Sequence, residues 1–119
     1  MIEVTISGPR GGRIRIEDEQ LIYNYVVEAC RQLKIVDADI EVLLYNKFPK
    51  DYDYAIGYCY GDKESVTIEL TKEDDDMYQT LAHEMVHCKQ FLEGRYPSER
   101  EAKKLEFGLH EKITEGIGY

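Results

Sequence analysis

The sequence predicts an α+β domain. Three observations predict it: short apolar–polar alternations confined to roughly the first 70 residues, one amphipathic helical pattern set among them, and two helical patterns filling the remainder. A chain of 119 residues suits a single domain around one core, with room for a small sheet and about three helices.

Ile2, Val4 and Ile6 alternate with Glu3, Thr5 and Ser7, which reads as a half-buried strand. Gly8, Pro9, Gly11 and Gly12 break it as a turn, and residues 13–16 read as a short return strand. Asp18 suits the N-cap of a helix running to about Leu33. Its apolar stripe is Leu21 or Ile22, Tyr25 or Val26, Ala29 and Leu33. Residues 40–45 read as the next strand, and residues 46–51, with Pro49, as a loop. From 52 to 60 the chain alternates again. Tyr52, Tyr54, Ile56, Tyr58 and Tyr60 share one face, and Asp53, Ala55, Gly57 and Cys59 the other. Such an aromatic stripe is expected for packing more than for binding. Val66, Ile68 and Leu70 mark a further strand that pairs back on it as a hairpin, so the sheet is expected to be mostly antiparallel. Thr71, with Asp74 three residues on, resembles a capping box for a helix ending near Leu92, where Gly94 stops it. Pro97 and Ser98 restart a helix that continues towards Thr114.

Net charge is −9, from 24 acidic and 15 basic residues, and the basic residues are scattered among acidic ones. Phosphate backbones demand clustered Lys and Arg, so no nucleic-acid partner is expected. Cys30, Cys59 and Cys88 are odd in number and far apart, which fits neither a disulfide framework nor a Cys-x-x-Cys zinc site. A reducing, cytoplasmic setting is the expectation. No leader pattern and no apolar run of spanning length is present, so no membrane partner is expected.

The chemistry concentrates in His83-Glu84-Met85-Val86-His87. Histidines at i and i+4 lie one helical turn apart on the same face, which lets two imidazole nitrogens reach one tetrahedral metal. Zinc is the metal such ligands favour, at one ion per chain. Glu84 sits one step round the helix, beside the metal rather than on it, where it can take a proton from a water on that metal. Met77, Leu81, Met85, Cys88 and Leu92 form an apolar stripe nearly opposite the histidines, so the helix is expected to bury one face and turn the other into a polar cleft.

A catalytic zinc site needs a third protein ligand. One metallopeptidase pattern continues with a glycine and then a histidine, where this chain has Gln90 and Glu93. Without a helix break at Gln90, Glu93 is carried away from the metal. His110 is the remaining histidine. Glu99 and Glu101, at the start of the last helix, flank its stripe of Ala102, Leu105, Leu109 and Ile113 on opposite sides, so periodicity does not choose between them.

His83 to His87, followed by a Glu-x-Glu-Ala helix at Glu99, resembles the gluzincin type of zinc metallopeptidase. The likeness is to its minimal versions, the small SprT-like or ImmA-like peptidase domains of phage and bacteria, and covers roughly residues 66–109. It implies a zincin-like fold acting on a protein or peptide, with zinc on His83, His87 and Glu99, Glu84 as general base, and Glu101 as the fallback ligand. The family often carries Asp or Asn four residues after the ligand, supporting a histidine; this chain has Lys103 there. SprT-like proteins proper use a third histidine and are often tied to DNA, and no matching histidine follows here. The resemblance also implies an edge strand for extended substrate, expected at residues 65–70. A donor to the tetrahedral oxyanion is expected among Tyr96, Tyr60 and His110. The competing expectation is a zinc-binding interaction module without activity.

Overall fold

An 18-residue helix separates the first two strands, and that length sets the topology. A tight turn reverses a strand, whereas a helical crossover returns the chain in the same direction. The computed structural model, which describes residues 1–52 and 55–118, follows this logic. Strand β1 (Ile2–Ser7) pairs in parallel with β2 (Ala38–Tyr45) after helix α1 (Ile16–Leu33). Strand β3 (Gly57–Gly61) then turns antiparallel into β4 (Ser65–Thr71). β4 inserts between β3 and β2, in register Ile40 with Val66 and Val42 with Ile68, running parallel to β2. The sheet order is β1-β2-β4-β3. The fold is α+β, but the sheet is mixed rather than mostly antiparallel.

That order corrects a second expectation. Residues 65–70 do not form an edge, because β4 is paired on both sides. The free edge next to it belongs to β3. Within β3 the expected alternation holds: Gly57 packs against helix α2 (Met77–Leu92), while Tyr58 bonds outward to the Tyr52 carbonyl. Tyr45, Phe48, Tyr52 and Tyr58 stack together, and the Tyr52 hydroxyl donates to the buried Glu69 at 2.7 Å. Asp53 and Tyr54 lie outside the described residues.

All three helices cover one face of the sheet. α1 lies on β1, α2 on β3 and β4, and α3 (Glu99–Ile117) on α1 and α2. Ile40, Val42 and Leu44 of β2 and Val66, Ile68 and Leu70 of β4 meet Ile22, Tyr25, Val26 and Ala29 of α1 and Leu81, Met85 and Cys88 of α2. Truncating a fully buried side chain such as Met85 to Ala would cost about 2–5 kcal/mol. On the opposite face Glu3, Thr5, Asp39, Glu41 and Ser65 meet solvent. Among the described residues no helix is long and apolar enough to cross a membrane.

Several boundaries move. The strand expected from residue 52 begins only at Gly57, and Lys50–Tyr52 forms a short 3-10 turn before it. Residues 12–15 form no strand, and α1 starts at Ile16. Asp18 lies inside its first turn, where it pairs with Lys72 at 2.7 Å instead of capping. Thr71 closes β4, and its hydroxyl accepts from the Glu73 N–H, so α2 starts only at Met77. Asp74 bridges the gap by accepting from the Asp76 N–H and the Thr80 hydroxyl.

Candidate metal centre

The end of α2 and the start of α3 bring the site together. Gly94 takes a left-handed conformation (φ +72°). The Arg95 N–H then bonds back to the Gln90 carbonyl and the Gly94 N–H to the Phe91 carbonyl. This double bond pattern is the Schellman stop, which frees the chain to reverse within a few residues. Ser98 caps α3, its hydroxyl accepting from the Glu101 N–H at 3.2 Å. Glu99 is therefore the first residue of α3 and faces back onto α2.

His83 Nε2 lies 2.9 Å from Glu99 Oε1, and His87 Nε2 lies 2.5 Å from the same oxygen. One ligand atom from each of these three residues falls within 4.8 Å of the others, the one such group among the described residues. The fallback positions lie elsewhere. Glu101 and Glu93 are both engaged by Arg95. His110 Nδ1 meets the Tyr25 hydroxyl at 2.7 Å, about 16 Å along α3 from Glu99 by helical rise.

The donor set fits zinc on chemical grounds. Ser98 offers its N–H to Gln90 Oε1 (2.9 Å) and its carbonyl to Gln90 Nε2 (3.2 Å), so the Gln90 amide has one satisfactory orientation. Gln90 Oε1 only accepts, and His87 Nδ1 at 2.8 Å must then donate to it. A neutral His87 is left with a bare lone pair on Nε2, pointed at a carboxylate oxygen 2.5 Å away. Two acceptors turned on each other repel unless a proton or a metal ion is shared between them. His83 turns its own Nδ1 towards Glu106 Oε1 at 3.5 Å. Two imidazoles and one carboxylate make a three-ligand set, which leaves a position open.

Electrostatics match this arrangement. Burial works to lower the His83 pKa, but its bond to Glu99 and the charges of Glu84, Glu99 and Glu106 outweigh burial and raise it. Burial pushes the Glu99 carboxyl up, and the hydrogen bonds and charges of both histidines bring it below the ordinary value. Glu84 is only 6% exposed, and burial pushes its pKa up to about 7 against the pull of His83 and His87. The helix is buried more completely than its single apolar stripe predicts: Thr80, Glu84, His87 and Gln90 are all buried.

β3 closes the wall beside Glu84. A Cβ on Gly57 would stand 2.7 Å from Thr80 Cγ2 and 3.0 Å from Glu84 Oε2, so any larger residue there must push Thr80 or the carboxylate aside. Sequence reasoning missed Gly57, Gln90 and Glu106. Two of them left a signal: Glu106 lies seven residues, or about two turns, from Glu99 on the same helix, and Gln90 lies three residues after His87 on the same face of its own. Of the expected oxyanion donors, Tyr60 alternates with the site-facing Gly57 and Cys59, and His110 is held by Tyr25. Tyr96 is 95% exposed in the turn that precedes Glu99. Compared with protein-family models, curated proteins and solved structures, the chain matches none of them.

Proposed function

We propose that this protein is a zinc-dependent peptidase that hydrolyses peptide bonds in a protein or peptide substrate. One observation carries the reading: His83, His87 and Glu99 converge on a single point with the buried carboxylate of Glu84 beside them. Zinc, when bound there, supplies a Lewis acid for the scissile carbonyl and acidifies water. His83, His87 and Glu99 would hold it. Glu84 takes the proton of the attacking water and delivers it to the leaving amine, and its raised pKa suits a group that must both accept and return a proton near neutrality. The free edge of β3 offers backbone groups to an extended chain and begins at Gly57, against Glu84.

The alternative is a zinc-binding module without activity. Such a site has no use for a general base and closes its fourth position with a protein ligand. The three-residue group and the buried Glu84 favour the peptidase. Glu84→Gln tests the choice, because it keeps size and removes the base. Zinc content and folding should persist, and hydrolysis of unfolded protein or peptide should fall by about 10²–10⁴. A wild type that binds zinc but cleaves no peptide, with a Gln variant indistinguishable from it, would favour the module.

A further inference from the structure

Gln90 stands one helical turn past the histidine pair, fully buried, on a helix whose other buried polar groups are accounted for by the reaction or by Asp74. An amide has two acceptor and two donor positions. All four are used. Oε1 accepts from His87 Nδ1 at 2.8 Å and from the Ser98 N–H at 2.9 Å. Nε2 donates to the Ser98 carbonyl at 3.2 Å and to Glu101 Oε1 at 3.3 Å. The backbone carbonyl of the same residue takes the Arg95 N–H that closes α2. Lys103, one turn beyond Glu99 on α3, is exposed and supplies no such support.

We propose that Gln90 is the positioning residue that couples the two halves of the metal centre. Its oxygen holds His87 in the Nδ1–H tautomer, which leaves Nε2 as the metal-directed atom. Its amide as a whole grips the cap of α3 and so places Glu99 opposite that nitrogen. One side chain thus sets the tautomer of a ligand on α2 and the position of a ligand on α3. This rests on the metal reading above for its purpose, while the tautomer it imposes is a property of the chain alone. A glutamine suits the position better than a glutamate. A second carboxylate oxygen would face the Ser98 carbonyl and Glu101 Oε1, where Nε2 now donates.

The test uses the full chain in three forms: wild type, Gln90→Leu and Gln90→Glu. Ring ¹⁵N shifts of the chelator-treated protein at alkaline pH report the tautomer of His87, assigned by its loss in His87→Ala. Competition with a chelator reports zinc affinity. Wild-type His87 should carry its proton on Nδ1. Gln90→Leu should lose that preference and bind zinc about 10–100-fold more weakly, the usual cost of removing the partner of a ligating histidine. Gln90→Glu keeps an acceptor, so it should retain the Nδ1–H tautomer and bind zinc more tightly than Gln90→Leu. If Gln90→Leu does not fold, the wild-type tautomer and the Glu variant still decide. The proposal is overturned by an Nε2–H tautomer in the wild type. It is overturned equally by Leu or Glu variants whose tautomer and affinity run against these expectations. A wild type that takes up no zinc while His87 keeps the Nδ1–H form overturns the metal reading itself, and the tautomer measurement separates that failure from the first.

Discussion

Glu84→Gln should stabilise the protein when zinc has been stripped away, and the gain should grow with pH. Glu84 is 6% exposed, and burial raises its pKa from 4.5 to about 7. The folded state therefore holds a proton that the unfolded chain releases. Stability falls as pH climbs from about 4.5 towards about 7, and the full cost persists above that. The interval corresponds to about 3 kcal/mol. Attraction to His83 and His87 is part of the same balance, so about 1–3 kcal/mol is the expected range. Glutamine fills the same space and never ionises. Urea unfolding in excess chelator, at about pH 5 and about pH 8, should show a small difference between wild type and variant at the lower pH and a gain of that size for the variant at the higher. Adding zinc should shrink the gain, because a cation beside the carboxylate favours its charged form. A variant less stable than wild type at the higher pH, or a difference that does not change with pH, would refute the reasoning.

Other outcomes follow from the same geometry. Glu99→Ala should weaken zinc binding far more than Glu101→Ala, by calorimetry or chelator competition. Glu101→Ala should remove a surface pair with Arg95, worth at most about 1 kcal/mol in unfolding experiments, and one hydrogen bond from the buried Gln90 amide, worth about 1 kcal/mol more. Gly57→Ala should push Thr80 and Glu84 aside, lowering peptide hydrolysis by up to about 10²-fold while zinc content changes little. Zinc binding needs neutral imidazoles, and the His83 pKa lies above its ordinary 6.5. As pH is lowered, affinity should thus begin to fall while pH is still above that value, and drop about tenfold per pH unit for each protonated ligand.

Much of the site was legible because it is local. The i, i+4 spacing of His83 and His87 and the placement of Glu84 follow from helical geometry within five residues. Glu99 was not legible from periodicity, because Glu99 and Glu101 flank the same stripe. The fold separates them through the Gly94 stop and the Ser98 cap, which turn Glu99 towards His83 and His87 and hand Glu101 to Arg95. In the sequence Gln90 stands three residues after His87, on the histidine side of the helix, where one metallopeptidase pattern has a glycine. Its role depends on Ser98, eight residues away across a turn. Strand pairing shows the same limit. Alternation identified β1, β2 and β4, but it reports which face is buried and not which neighbour lies alongside. The helix between β1 and β2 carried the information that those strands are parallel. The position of β4 inside β3 had no local signal at all. Thr71 and Asp18 both look like helix caps, and each is drawn off by tertiary structure, one into β4 and the other to Lys72.

The most direct test of the central claim is the metal content of purified wild type and His83→Ala, each measured after exposure to zinc and removal of the excess. The convergence of His83, His87 and Glu99 predicts about one zinc per wild-type chain and a loss of that zinc in the variant, with the fold retained because His83 lies at the rim of the core. A wild type that takes up no zinc, or a variant that holds it equally well, would contradict the account.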